Sequence, residues 1–100
     1  MTPARKSSAG APLDRLRLKV EKTDDAILAL LSRRMRLARE IGAAKEAASL
    51  PVLDPAREAK VVRRTAARAR ELGMPAEEVR SLFWGIISLC RTQQILARRR

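Results

Sequence analysis

The stretch Leu13–Ser49, LDRLRLKVEKTDDAILALLSRRMRLAREIGAAKEAAS, decides the fold of this chain. Its apolar residues recur at heptad spacing, which is typical of a long helix that packs along another helix. One line of the pattern is Leu13, Val20, Ile27, Arg34, Ile41 and Ala48, and its companion is Leu16, Thr23, Leu30, Leu37 and Ala44. No proline interrupts the stretch, and Gly42 is its only weak helix former. The pattern therefore predicts one long first helix from Leu13 to about Ser49.

Proline and glycine positions divide the rest of the chain into two further helices. Asp54 and Pro55 read as an N-cap followed by proline at the first helical position, so a second helix is expected from there to Leu72. Gly73 is its natural end, and Pro75 opens a third helix. The expected inward faces are Glu58, Val61, Val62, Thr65, Ala69 and Leu72, then Val79, Leu82, Phe83, Ile86, Ile87, Cys90 and Gln94. No alternation of period two occurs, so the sequence predicts an all-α fold with three helices per chain.

The 100 residues suit a single small domain with short tails, since domains usually need about 50–200 residues. We expect a flexible N-terminal tail over residues 1–12, a helical domain over residues 13–97 and a basic C-terminal tail over residues 98–100. Neither a signal peptide nor an apolar run of about 18 residues is visible. With one unpaired cysteine as well, this predicts a cytoplasmic protein without membrane association.

The length of the first helix predicts a homodimer. About 37 helical residues extend roughly 55 Å, whereas a compact domain of this size has a radius of gyration of only about 13 Å. One end of the helix must therefore project beyond its own core and leave Leu13, Leu16 and Val20 uncovered. The same helix of a second copy is the simplest cover, so we expect an intertwined homodimeric helical bundle.

The composition excludes several kinds of active site and suggests one kind of partner. The absence of histidine excludes Ser-His-Asp and Cys-His catalysis and His-ligated zinc, and the lone Cys90 excludes a disulfide or thiolate cluster within the chain. The only aromatic residues, Phe83 and Trp84, offer little for stacking nucleic-acid bases. However, 22 Lys and Arg against 11 Asp and Glu give a net charge of +11, which by itself favours a polyanionic partner.

Polar residues occupy positions where apolar ones are expected. Arg34 lies in the heptad line, and Lys45 lies on nearly the same helix face about three turns later. Glu58 and Gln94 lie on the inward faces of the second and third helices. Buried charges are costly unless they are paired or bind a ligand. Either these residues pair internally, for example Arg34 with Glu58, or they form a pocket whose surplus positive charge binds an anion.

Arg17 cannot join Arg34 within one chain, because about 25 Å of helix separates them. In an antiparallel dimer, Arg17 of the partner subunit could reach the Arg34 end of such a pocket. The other interpretation is that Arg17 is one more solvated cation. Solvation is also expected for most of the remaining arginines, which include Arg33, Arg36, Arg39, Arg63, Arg64, Arg68 and Arg70.

These residues resemble a known family. The segments are LR at 16–17, ILALLSRR at 27–34, IGAAK at 41–45, VLDPARE at 52–58 and FWGIISLCRTQQ at 83–94. Over about residues 13–96 they are similar to the all-helical class of chorismate mutase. The resemblance implies an intertwined dimer of three-helix protomers with two equivalent sites, each of which takes one arginine from the other chain. It also implies the rearrangement of chorismate to prephenate, which needs no metal and no cofactor.

The resemblance assigns substrate-binding roles to the polar residues. Arg34 and Arg17 of the partner subunit would hold the two substrate carboxylates, whose shape suits the planar guanidinium. Lys45 and Gln94 would donate hydrogen bonds to the ether oxygen, and together with Arg34 they are the expected catalytic residues. Where some family members carry glutamate at the position of Gln94, this chain has an amide that donates at any pH.

The remaining positions of the motif surround the ring of the substrate. By resemblance, Glu58 and the backbone around Asp54 would hold the ring hydroxyl, and Arg57 would add positive potential. Cys90 replaces a serine that usually helps to bind a carboxylate in the family. Because a thiol is a weaker donor, Cys90 is either a weak ligand or simply a small core residue.

Three alternatives stay open at this stage. An isochorismate-pyruvate lyase shares the helical scaffold, although the D54-x-x-R57-E58 start of the second helix looks more like the mutases. A mutase that acts on the amino analogue of chorismate fits the same motifs. A basic helical dimer that binds nucleic acid accounts for the net charge, but no recognition-helix motif supports it, and we expect no nucleic-acid partner.

Overall fold

The structure is a computed structural model that describes residues 3–98, with side-chain surroundings from residue 9 onward. It contains three helices, α1 (Pro3–Ala47), α2 (Pro55–Glu71) and α3 (Ala76–Arg98). No strand occurs between residues 3 and 98. The predicted all-α fold with a long first helix is therefore confirmed, whereas the homodimer stays a prediction.

Helix α1 begins ten residues before the predicted start at Leu13, and it contains Pro12. Proline removes one backbone donor from a helix, but Ala9 and Ala11 in the preceding turn have the highest helix propensity. Of the residues predicted as a flexible tail, Met1 and Thr2 lie outside the described residues.

The chain divides into two units, Met1–Ser32 and Arg33–Arg100, and the boundary falls within α1. Residues 3–32 of the first unit are helical, and the predicted contact residues Leu13, Leu16 and Val20 are 50–58% exposed. These exposed apolar side chains at heptad spacing are the ones that the sequence predicts to contact a second copy of the chain.

The second unit has its core between α2 and α3. Val61, Val62 and Ile87 form one buried cluster, and Ala66 is completely buried. Small and β-branched residues on α2 let the two helices approach closely, so the core is compact although it contains no buried aromatic ring. Leu82 was expected on the inward face, but it is 65% exposed.

The predicted ends of α2 are confirmed. The Asp54 side chain accepts a hydrogen bond from the backbone N–H of Arg57 at 3.1 Å, as an N-cap residue does, and Pro55 stands in the first turn. Gly73 follows the helix with a φ of 72°, a left-handed conformation that glycine adopts without strain. Leu72, which was expected to face inward, is 57% exposed because it is the C-cap, where the backbone leaves the helix.

Within the second unit, the last turns of α1 lie directly against the last turns of α3 at Gly42. A Cβ atom on Gly42 would lie 2.6 Å from the carbonyl oxygen of Gln94 and 2.8 Å from its Cα. Only glycine allows the two backbones to come this close. Arg98 holds the same end, because its guanidinium donates to the carbonyl of Leu50 at 2.7 Å. Arg98, predicted as part of a C-terminal tail, is therefore the last residue of α3, while Arg99 and Arg100 lie outside the described residues.

Replacement of Gly42 by alanine is expected to destabilise the protein by about 1–3 kcal/mol, because the added methyl group must push α1 away from the backbone of Gln94. Gly85→Ala is the matched control. Gly85 lies within α3, and a methyl group added there would meet no atom within 4 Å among the described residues. The control should be stabilised by about 0.5–1 kcal/mol, since alanine favours a helix over glycine. Denaturant unfolding measures both, and equal effects of the two substitutions would contradict the close approach.

Candidate active site

A cavity of about 490 Å³ lies in the second unit, between the end of α1, the first half of α2 and the middle of α3. Seven of the eight predicted site residues line it: Arg34, Lys45, Asp54, Arg57, Glu58, Cys90 and Gln94. Its apolar wall consists of Leu37, Ala38, Ile41, Val61 and Ile87. The eighth predicted residue, Arg17, belongs to the first unit and is exposed.

The cavity carries a surplus of positive charge. Its cationic residues are Arg34, Lys45, Arg57 and Arg64, and its carboxylates are Asp54 and Glu58. Arg64 was expected to be a solvated surface residue, and although it is exposed, it also lines the cavity. It does so because it follows Val61 by three residues and Arg57 by seven, so that all three lie on one face of α2. Such a wall favours an anionic ligand.

Lys45 and Gln94 form a pair of hydrogen-bond donors at one end of the cavity. The Lys45 ammonium donates to the backbone carbonyl of Val52 at 2.7 Å and to Gln94 Oε1 at 2.9 Å. Because an ammonium group only donates, its contact fixes the orientation of the Gln94 amide, with Oε1 toward Lys45 and the NH₂ group left to donate elsewhere. The third N–H of Lys45 has no partner among the described residues. Two donors can therefore meet one acceptor of a ligand here.

The two arginines Arg34 and Arg64 lie toward the opposite end. Arg34 precedes Lys45 by three turns of α1, which is roughly 16 Å, and Arg64 stands about 15 Å along α2 from its N-cap. Neither guanidinium has an ion pair within the part of the chain that the structure describes. The interpretation in which Arg34 pairs with Glu58 is therefore wrong, and this end of the cavity is suited to a carboxylate.

Glu58 is paired instead with Arg91, a residue of α3 to which the sequence patterns assigned no role. Arg91 Nε donates to Glu58 Oε2 at 2.9 Å, and Arg91 Nη2 donates to Glu58 Oε1 at 2.7 Å. The hydrogen bonds with the Glu58 side chain raise the pKa of Arg91 above its usual range. The pair joins the first turn of α2 to α3 and keeps one carboxylate of the cavity wall in a fixed position.

Cys90 is buried, with 3% of its surface exposed, and it lines the cavity from α3. Its thiol is free. The position therefore serves both interpretations made from the sequence, a small core residue and a weak donor toward a ligand.

The described residues show neither a cluster suited to a metal ion nor a membrane-spanning helix. They contain no group of three or more His, Cys, Asp and Glu side chains that is suited to a metal ion. None of their helices combines the length and the apolar character needed to cross a lipid bilayer.

A comparison with known families identifies the family of this chain. Residues 16–95 match the family model described as chorismate mutase type II. The chain belongs to this family. The matched range contains all eight predicted site residues, so the resemblance seen in the sequence motifs is confirmed.

Three relatives of this chorismate mutase type II chain are much longer proteins, and the chain matches only part of each. It is 33% identical over 81 residues to the bifunctional chorismate mutase/prephenate dehydratase of Aquifex aeolicus, covering 78% of this chain and 22% of that protein. It is 33% identical over 73 residues to the T-protein of Enterobacter agglomerans, covering 73% and 20%. A 3-dehydroquinate dehydratase of Pyrobaculum aerophilum is 29% identical over 89 residues, with 89% and 26% covered. The chain thus spans about a quarter or less of these relatives.

A solved structure supports the fold of the chorismate mutase type II chain. A conserved hypothetical protein from Pyrococcus furiosus superposes with a TM-score of 0.68 at 32% sequence identity. The match covers 83% of this chain and 95% of that chain.

Sequence reasoning missed two residues of the site, Arg64 and Arg91. The spacing of Arg57, Val61 and Arg64 on one face of α2 was a signal that could have identified the first. Arg91 follows a cavity residue, Cys90, and no periodic pattern marks it. The only signal was that the inward Glu58 needed a cationic partner.

Proposed function

We propose that this chain is a chorismate mutase, an isomerase that rearranges chorismate to prephenate in the synthesis of phenylalanine and tyrosine. The observation that carries the proposal is the contact between Lys45 and Gln94 in a cationic cavity. There, Lys45 and Gln94 lie in contact at one end, and guanidinium groups without an ion pair among the described residues lie toward the other end. Membership of the chorismate mutase type II family supports the same activity.

The reaction occurs within a single molecule. The ether C–O bond of chorismate breaks while a new C–C bond forms, so no nucleophile, metal ion or cofactor has to take part. The enzyme must hold a flexible dianion in a folded, chair-like shape in which the reacting carbons are in contact. It must also stabilise the negative charge that grows on the ether oxygen.

The cationic residues bind and fold the substrate. In the proposed mechanism Arg34 holds one carboxylate, and Arg17 of the partner subunit holds the other. Both carboxylates suit the planar guanidinium group, which can donate two parallel hydrogen bonds. The apolar wall, which includes Leu37 and Ile41, is the surface against which the reacting carbons lie.

Lys45 and Gln94 stabilise the transition state. The remaining N–H of Lys45 and the NH₂ group of Gln94 donate to the ether oxygen, and their mutual hydrogen bond holds both in place before the substrate arrives. Donors that are aligned in advance need not reorganise as charge develops. Lys45 and Gln94, together with Arg34, are therefore the proposed catalytic residues.

The carboxylate side of the cavity holds the ring hydroxyl. Glu58 accepts a hydrogen bond from the hydroxyl, with help from the backbone around Asp54, and Arg57 adds positive potential at the first turn of α2. Cys90 approaches the substrate as a weak donor from α3.

The proposed assembly is an intertwined homodimer with two equivalent sites. The exposed Leu13, Leu16 and Val20 supply the apolar surface for a second copy. Arg17 lies among them on α1 and is exposed, as a residue donated to another chain must be before assembly. A cytoplasmic location is proposed, and the single unpaired cysteine is consistent with it.

Turnover of chorismate by the purified chain, followed by the loss of ultraviolet absorption of the substrate, tests the proposal. Arg34→Ala should lower kcat/KM by about 30- to 5,000-fold, because loss of one member of a charge pair between enzyme and substrate costs about 2–5 kcal/mol. Lys45→Ala should lower kcat by about 100- to 1,000-fold.

Arg33→Ala is the matched control for the first variant, because Arg33 is adjacent to Arg34 but exposed and outside the cavity wall; its activity should stay within about twofold. The absence of turnover would contradict the proposal. Pyruvate release from isochorismate alone would favour the lyase, and preferential turnover of the amino analogue would favour that substrate. Salt-dependent DNA binding that is unchanged in Gln94→Ala would favour a nucleic-acid-binding dimer.

The amide of Gln94 makes the activity independent of pH in the neutral range as far as this residue is concerned. A glutamate at this position must be protonated to donate, and its ordinary pKa is about 4.3. Gln94→Glu should therefore lose activity as the pH rises from about 5 to 8, while the wild type does not. Activities are normalised to the folded fraction measured by circular dichroism at each pH. If the activity of the wild type falls in the same way over this pH range, and no other titrating residue causes the fall, this role of Gln94 is contradicted.

Mixed dimers test whether Arg17 acts across the interface. Arg17→Ala and Arg34→Ala should each be nearly inactive alone. After unfolding and refolding together, about half of the dimers are mixed, and one of their two sites has both arginines. About a quarter of the wild-type activity should return. If Arg17 serves its own chain, the mixture stays inactive.

A further inference from the structure

The contact between Arg91 and Glu58 fixes an acceptor on the wall of the cavity. Two hydrogen bonds of 2.9 and 2.7 Å join the guanidinium fork to both carboxylate oxygens. A bidentate contact of this kind restrains rotation of the carboxylate as well as its position. Arg91 itself does not line the cavity, while Glu58 does.

The partner determines what Glu58 can do for a ligand. Each carboxylate oxygen can accept about two hydrogen bonds, and Arg91 occupies one position on each. A carboxylate that accepts from two N–H groups of Arg91 presents only its remaining acceptor positions to the cavity. The remaining positions can therefore only accept, and a ligand group that lies against Glu58 has to bring a hydrogen.

We propose that Arg91 is a positioning residue that holds Glu58 as an obligatory acceptor and thereby makes the site selective for a substrate with a hydroxyl donor at this point of its ring. The proposal deepens the proposed function and rests on it. Without Arg91, no guanidinium fork restrains the Glu58 carboxylate, and the side chain is free to rotate away from the ligand. A substrate without the hydroxyl donor then no longer leaves a fixed acceptor unpaired, and the site discriminates less against it.

A second arginine of α3 shows why this pair is more than a surface ion pair. Arg80 has the same side-chain exposure as Arg91, 32%, and it contacts Glu77 at 3.3 Å within the same helix. Glu77 is 80% exposed and Glu58 only 16%. Arg91 therefore joins two helices through a largely shielded carboxylate, whereas Arg80 makes a contact that water screens.

The substrates for the test are chorismate and its derivative in which the ring hydroxyl is methylated. The ether lacks the hydrogen that Glu58 is proposed to accept. We expect the wild type to prefer chorismate over the ether by about 100-fold in kcat/KM, because a largely shielded acceptor is left without a donor. In Arg91→Met, which keeps a long apolar stem, the preference should fall below about tenfold. Arg91→Lys should recover part of it, since lysine restores the charge without the fork.

Arg80→Met is the matched control and should keep the wild-type preference. The ratio of two activities does not change with the fraction of folded protein, so a variant that is merely less stable keeps the ratio as well. Addition of Glu58→Ala to Arg91→Met should lower the preference no further than Glu58→Ala alone, because the arginine acts through the glutamate.

The outcomes separate the inference from the function on which it rests. If the wild type turns over chorismate but Arg91→Met discriminates as Arg80→Met does, the role of Arg91 is overturned and the mutase activity stands. If the wild type does not turn over chorismate, both are overturned. A loss of discrimination in Arg91→Met alone, restored in part by lysine, supports the role of Arg91.

Discussion

The close approach of Gly42 to the backbone of Gln94 is the constraint on which the site depends. It brings α1 and α3 together at the point where Lys45 on one helix meets Gln94 on the other. The Cβ atom of any other residue at position 42 would lie 2.6 Å from the carbonyl oxygen of Gln94, so the two helices would have to move apart. The absence of one methyl group thus sets the geometry of two donors that the proposed chemistry requires.

The cavity also shows how a small protein tolerates charge in its interior. Lys45 is held by a backbone carbonyl and an amide oxygen, and Glu58 is held by Arg91. The guanidinium groups of Arg34 and Arg64, which have no ion pair among the described residues, retain their solvation in the open cavity until a ligand anion replaces it. Cationic groups that have few hydrogen-bond or ion-pair partners within the chain are those that a bound dianion stabilises most.

Local sequence signals predicted the fold well because short-range chemistry determines the helix ends. Asp54 and Gly73 mark the ends of α2 through a side-chain cap and a left-handed turn, and both were recognisable. The contact of Arg91 with Glu58 was not, because it joins residues 33 positions apart and depends on the rotation of two helices about their axes. The place of Arg64 in the cavity wall was missed for a related reason, since a periodic pattern identifies apolar faces and treats every cation as solvated.

Asp54 of this chain combines two tasks in one side chain, and this limits which residues can replace it without consequence. Its carboxylate begins α2 by accepting the N–H of Arg57, and the same residue lines the cavity. Serine or asparagine would preserve the cap but remove one of the two carboxylates from a cavity lined by four cationic residues. Evolutionary drift at this position therefore alters the electrostatic potential felt by the ligand even when the stability of the helix is unaffected.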